Sequence, residues 1–295
     1  MGFLDRFMKK KTEAAGKQGN APGGAEPGRP DRRAPVEQEE SRPGAQGPKT
    51  DEYTPGGSPV YRYEDHREEG FQPPVDVGVY AKLVEEHFSQ LFPGRGHFVY
   101  HEMISDRVHV DVHILRPTEE QNFYVLYTTG MSDLPMTLPE GLENREELKY
   151  AELFLFLPGS WNVGEEYVSA KDLPYESYWP INMLKFLARF PHEYHTWLGF
   201  GHTMPNGPDY APMCGGVGFG GVVLDWLGKE YGRVENPEGH DVMLYYVIPA
   251  YKQEIEYKLK YGMEGLSKRF SEGELPLVLD IHRPNLCADF TEILD

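Results

Sequence analysis

Residues 107–129 read RVHVDVHILRPTEEQNFYVLYTT, and this stretch decides the fold class. Val108, Val110, Val112 and Ile114 alternate with His109, Asp111, His113 and Leu115. A period of two puts the first set on one face and the second on the other, which predicts a half-buried strand. A turn containing Pro117 follows, and the aromatic and β-branched run over 122–129 predicts its hairpin partner. Outward from this hairpin, short apolar runs at 151–157, 196–202, 222–226, 241–248 and 275–281 predict further strands.

Helices are predicted between them. Tyr80, Leu83, Val84, His87, Phe88 and Leu91 follow helical spacing, and Pro93-Gly94 stops the helix. Trp179-Pro180 is read as a helix start with Pro at its first position, followed by the stripe Met183, Leu184, Leu187 and Ala188. Pro249 is read as another start, with Tyr251, Ile255 and Leu259 on one face and Gly262 at the end. Glu254–Lys258 and Glu256–Lys260 are expected to be surface ion pairs of that helix. A short further helix is predicted over 265–270. The elements mix without regular βαβ alternation, so the fold class is α+β.

The 295 residues allow one large or two small domains. Gly and Pro together number 17 in residues 1–58 and 40 in the other 237. So little apolar bulk cannot offset the entropy of ordering, so 1–58 is expected to be a disordered arm and 59–295 the folded body. At its tip Phe3, Leu4, Phe7 and Met8 share a helical face ahead of three lysines, a membrane or partner anchor in outline. Eleven residues are too few to hold a helix alone, so a frayed leader is the expectation.

Charge is uneven. Residues 1–50 hold ten Lys/Arg and seven Asp/Glu; residues 51–295 hold 19 and 40, a balance of −21. Such a body is unsuited to phosphate backbones, so no nucleic-acid partner is expected. It would steer a cationic partner instead. No run of 18 apolar residues exists, so no membrane span is expected. Two distant cysteines, Cys214 and Cys287, fit a reducing, cytoplasmic setting.

Motifs for chemistry are weak. Residues 216–221, GVGFGG, fit G-x-G-x-x-G, but β-prone Val222-Val223-Leu224 follows where a phosphate-binding helix should start. The expectation is a turn entering a strand, and no cofactor is implied. His109, Asp111 and His113 stand at i, i+2 and i+4 and could hold a divalent metal from one strand face. His192-Glu193-Tyr194-His195 falls one residue short of H-E-x-x-H, and His202 could join it loosely. Either set would make a metal-dependent hydrolase; a solvated polar face and hydrogen-bonding histidines explain them as well. The expectation is therefore no catalytic and no metal-ligating residue. Trp161, Tyr167, Tyr175, Tyr178, Trp179, Tyr194 and Trp197 cluster among Pro, Gly and Asn. Rings of this kind suit recognition surfaces, so binding is better supported than chemistry.

Four ordered stretches carry a resemblance. The run 109–120 continuing through 128–136 (TTGMSDLPM) resembles the first signature of the suppressor of fused domain. AELFLFLP at 151–158 with Trp161 resembles the second; Trp179-Pro180 through Pro191 and then TWLGFGHT at 196–203 resembles the third. VIPAYKQE at 247–254 with Gly262 resembles the fourth. The resemblance implies an α+β sandwich built on a mixed β-sheet with flanking helices, and no known catalytic activity. It implies a protein partner: animal members bind a transcription factor, and bacterial members are thought to include toxin-neutralising immunity proteins. The compact motif set points to the bacterial kind, with a basic toxin domain as the expected partner. Within the motifs Asp111, Met131, Glu152, Trp161, Trp179, Trp197 and His202 are the expected functional surface. A regulatory adaptor tethered by its N-terminal arm is a further alternative.

Overall fold

The structure is a computed structural model that describes residues 47–63, 70–74, 77–164 and 172–291. The apolar tip at 3–11, most of the proposed arm, and Tyr167 lie outside the described residues. The predicted hairpin is the heart of an antiparallel meander. It comprises β1 (His97–Tyr100), β2 (Asp111–Leu115), β3 (Phe123–Thr129) and β4 (Ala151–Pro158). β4 then pairs in parallel with β8 (Val242–Ala250), which makes the sheet mixed. Beyond β8 come β6 (Gly221–Asp225) and, at the edge, β5 (Thr203–Pro205), both antiparallel; β7 (Arg233–Val234) also pairs with β8. Helices α1 (Ala81–Leu91), α2 (Tyr175–Glu193), α3 (Gly228–Gly232) and α4 (Lys252–Glu272) flank the sheet. The fold class is α+β, as the pattern indicates.

The β2 strand is not half-buried. Val112 and Ile114 are fully buried, and so, on the opposite face, are His113 and Leu115. Helix α1 is the reason: Phe88 stacks on Tyr127 at 4.1 Å, and Tyr127 stacks on His113 at 4.7 Å. Helix α2 also packs on β2, β3 and β4. A sheet covered on both faces buries even its polar positions, and these must then be hydrogen-bonded.

Several local expectations are corrected. Helix α2 starts at Tyr175, where the Pro174 carbonyl accepts from the Ser177 and Tyr178 amides, and Pro180 lies inside it. Pro249 closes strand β8 rather than opening a helix. The β4 pairing has already ended at Tyr246, so the missing N–H of Pro249 deprives no neighbour. Residues 196–199 are irregular, Phe200 and Gly201 turn with Gly201 at a φ of +77°, and the strand is confined to Thr203–Pro205. Gly262 does end the first helix as expected: at φ 72° and ψ 176° it is non-helical, and Lys252–Glu272 is two helices joined at this kink, the second containing the predicted 265–270. The last predicted strand reduces to one bridge between Val278 and Phe156. The segment 47–63 joins the body: the Gly56 amide donates to the Leu259 carbonyl, and the Tyr63 hydroxyl lies 2.6 Å from Thr196 Oγ1. Its contacts thus begin before the boundary at 58 read from composition.

Gly130 closes β3 at a φ of +103°, where a Cβ would stand 1.8 Å from the His109 carbonyl oxygen. Gly130→Ala is expected to cost about 2–3 kcal/mol through the left-handed backbone and that clash. Chemical denaturation checks it: a midpoint shifted down at unchanged slope is expected, and an unshifted midpoint refutes it.

Candidate interaction surface

The edge strand β5 lies beside a cleft of about 1750 Å³ bounded by the 48–63 segment and helix α4. Trp197, His202, Met204, Tyr210, Lys258 and Met263 are on its walls. Register fixes what the edge presents. Leu224 donates to the His202 carbonyl and Asn206 to that of Gly220, so residues 202, 204 and 206 face β6. Thr203 and Pro205 therefore turn their main chain outward. Pro205 has no N–H to offer, which blunts the edge against indiscriminate pairing.

Among the described residues, three polar groups in the cleft have no side-chain hydrogen-bond partner. The Trp197 indole N–H is buried and donates to nothing among the described residues. The His202 ring meets Trp197 edge-on at 4.3 Å. Burial, with the nearby Lys258 ammonium second, pushes its pKa down to about 4, so it is neutral at pH 7. Lys258 is only 7% exposed, and burial lowers its pKa as well. The surface pair expected between Lys258 and Glu254 is absent, because Glu254 faces inward and binds Arg283 at 2.6 Å.

Met204 and Pro205 also border a second hollow of about 310 Å³ together with Tyr175, Trp179 and Phe186. Trp161 donates from Nε1 to the Ser177 carbonyl at 2.9 Å and meets Trp179 edge-on at 6.2 Å. Trp179 is 2% exposed and its indole N–H has no acceptor among the described residues. With Tyr175, Phe186 and Phe200 about half exposed, apolar surface continues along both sides of β5.

Two other expected residues sit in the interior. Met131 is fully buried, and its carbonyl accepts from His192 Nε2 at 2.8 Å. Glu152 is fully buried and accepts from Thr128 Oγ1, Ser132 N and Ser132 Oγ at 2.6–2.9 Å. Burial still pushes its pKa up to about 7.

The histidines regroup. His113 leaves the proposed triad: it bonds Thr129 Oγ1 at 2.8 Å and lies 3.0 Å from His97 Nε2. Among the described residues His192, His195 and His202 do not converge as a ligand set. His109 stays 3.1 Å from Asp111, and His101, which the sequence pattern did not single out, stands 2.8 Å from Asp111 on the other side. The hairpin register explains it, since Tyr100 pairs with Val112 and so brings the next residue opposite Asp111.

Among the described residues the mixed sheet thus ends on β5, between two hollows with aromatic walls. The sequence profile of the suppressor of fused protein family matches residues 106–284, and the chain belongs to that family, a regulatory, protein-binding one. An uncharacterised protein of Ureaplasma parvum serovar 3 is 25% identical over 186 residues, 63% of this chain and 84% of that protein. The crystal structure of a suppressor of fused homolog from Neisseria gonorrhoeae FA 1090 has a TM-score of 0.51 at 16% identity. The match covers 70% of this chain and 96% of that one. A chain of the Sufu–Fu complex has a TM-score of 0.48 at 14% identity, over 76% of this chain and 100% of that one. No helix among the described residues is long and apolar enough to cross a membrane.

Proposed function

We propose that the protein is a non-catalytic binding module that holds a partner protein inactive, the partner being a basic toxin domain and the role that of an immunity protein. The observation that carries this reading is the β5 edge opening on its cleft. An extended segment can add to such an edge through main-chain hydrogen bonds while pockets on either side take alternate side chains. A cleft of about 1750 Å³ exceeds the ~300–1,000 Å³ of small-molecule sites. Trp197 and His202 line it, Trp179 lines the neighbouring hollow, and Trp161 packs against Trp179. The balance of −21 over residues 51–295 supports a basic partner, drawn in by long-range attraction that salt weakens.

The test is capture of partner by the tagged full chain at about 50 mM and about 500 mM salt, conditions that span strong and weak screening. A basic protein retained at stoichiometric level at low salt and released at high salt is expected. Met204→Arg, which places a bulky charge on the edge, should abolish retention. Capture insensitive to both salt and Met204→Arg would remove this reading.

A further inference from the structure

We propose that His101, His109 and Asp111 form a binding site for a divalent transition metal of the zinc class, which fastens the loop between β1 and β2. The three side chains bring one ligand atom each to within 4.8 Å of one another. His101 Nδ1 lies 2.8 Å from Asp111 Oδ2, and His109 Nε2 lies 3.1 Å from Asp111 Oδ1. Tetrahedral ligands at ~2.0–2.2 Å from zinc stand a little over 3 Å apart. A small turn of the His101 side chain, which is 70% exposed and free to move, therefore makes room for the ion.

The surroundings are those a ligand set requires. His109 Nδ1 lies 2.7 Å from Ser105 Oγ. With Nε2 on a metal, Nδ1–H donates to that hydroxyl, which fixes the tautomer and the ring orientation. Asp111 Oδ1 also accepts from the Glu102 amide at 2.9 Å, which fixes the orientation of the carboxylate. Glu102 itself is turned away: its carboxylate takes the Val110 amide at 3.1 Å and the Arg189 guanidinium. Two imidazoles and one carboxylate select zinc, nickel or copper over magnesium or calcium, which prefer all-oxygen shells. Water completes the shell.

The consequence is mechanical. His101 and His109 stand at the two ends of the connection between Tyr100 and Asp111. An ion shared by both ends would close that loop on the sheet. The loop carries Met103 and Ile104, exposed by 87% and 80%.

The experiment uses the full chain stripped with a chelator and titrated with Co²⁺, then with Zn²⁺. Saturable visible d–d absorption of four-coordinate cobalt at one equivalent, bleached by zinc, is expected. Affinity should fall about a hundredfold in His101→Gln and in Asp111→Asn, and about tenfold in Ser105→Ala. Hydrogen exchange over 101–110 should slow on adding zinc to the wild type and stay unchanged in His101→Gln. Since His101 is exposed, His101→Gln should melt with the wild type in chelator, which separates a lost ligand from a lost fold. The absence of saturable cobalt absorption would overturn the proposal. So would equal affinity in wild type and His101→Gln, which would leave the cluster a local polar contact with no metal site.

Discussion

Arg283→Ala is expected to destabilise the protein by about 3–5 kcal/mol, because it leaves the Glu254 carboxylate buried without its counter-charge. Arg283 is 4% exposed and Glu254 fully buried. The pair is bidentate, Nη1 to Oε1 at 2.6 Å and Nη2 to Oε2 at 2.7 Å. Arg283 also donates to the Pro249 carbonyl at 2.9 Å and lies over the rings of Phe219 and Tyr251, with its Cζ 4.9 and 5.1 Å from their centroids. Glu254 receives the amides of Tyr251 and Leu286 at 3.0 Å. The pair thus ties the C-terminal segment, the end of β8 and the start of α4 into one knot.

At about 2–4 °C per kcal/mol for a body of this size, the melting temperature should fall by roughly 10 °C. Arg283→Lys should fall in between, since an ammonium keeps the charge but neither the fork nor the stacking. A double-mutant cycle with Glu254→Gln measures the coupling directly. If Arg283→Ala melts within a degree or two of the wild type, the pair is no keystone.

The knot shows where sequence reading reaches its limit. Residues 252–261 do form the amphipathic helix that the pattern indicates, with Tyr251 as its N-cap and Ile255 buried. Glu254 and Lys258 follow the i,i+4 rule for a solvated pair, yet the C-terminal segment lies over Glu254 and draws it into a contact 29 residues long-range. Local spacing carries no information about that approach. Likewise the alternation over 108–115 gives the strand and its hairpin, while the burial of His113 depends on α1 laying Phe88 over Tyr127. Thr196 to His202 does not pair in a sheet: it runs as irregular chain and one turn, with Thr196 bonded to Tyr63 and Leu198 to Met136. Of the expected surface, Trp197 and His202 meet in one cleft because they are close in sequence. Met131 and Glu152 belong to a motif that serves the interior, and His101 became visible only through register.

The second large effect is on pH dependence, and its two limbs have opposite signs. Burial pushes His113 down to about 3, with the neighbouring His97 adding to the shift, and pushes His192 down to about 4. A depressed pKa means the folded state binds fewer protons than the unfolded chain. The stability these residues contribute is therefore complete above pH ~6.5, the ordinary histidine value, and is lost as pH falls through the folded values. Each site gives up to about 1.4 kcal/mol per pH unit inside that window, so two together give a steep acid limb. Glu152 works the other way. Its pKa rises from 4.5 to about 7, so the folded state holds a proton that the unfolded chain has released. Its contribution is complete below pH ~4.5 and is lost as pH rises through about 7, a change of about 3 kcal/mol at about 1.4 per unit. The proton sits among Thr128, Ser132 and the Asp133 charge, and that negative neighbour adds to the rise. Glu152→Gln keeps the shape and removes the titration. It should flatten the decline between pH ~4.5 and ~7 while leaving the acid limb below ~6.5 in place, so that the variant gains on the wild type as pH rises. Denaturant midpoints of both proteins across this range decide it. Parallel curves would mean that Glu152 is ionised in the fold and that its three hydrogen bonds, rather than a proton, offset its burial.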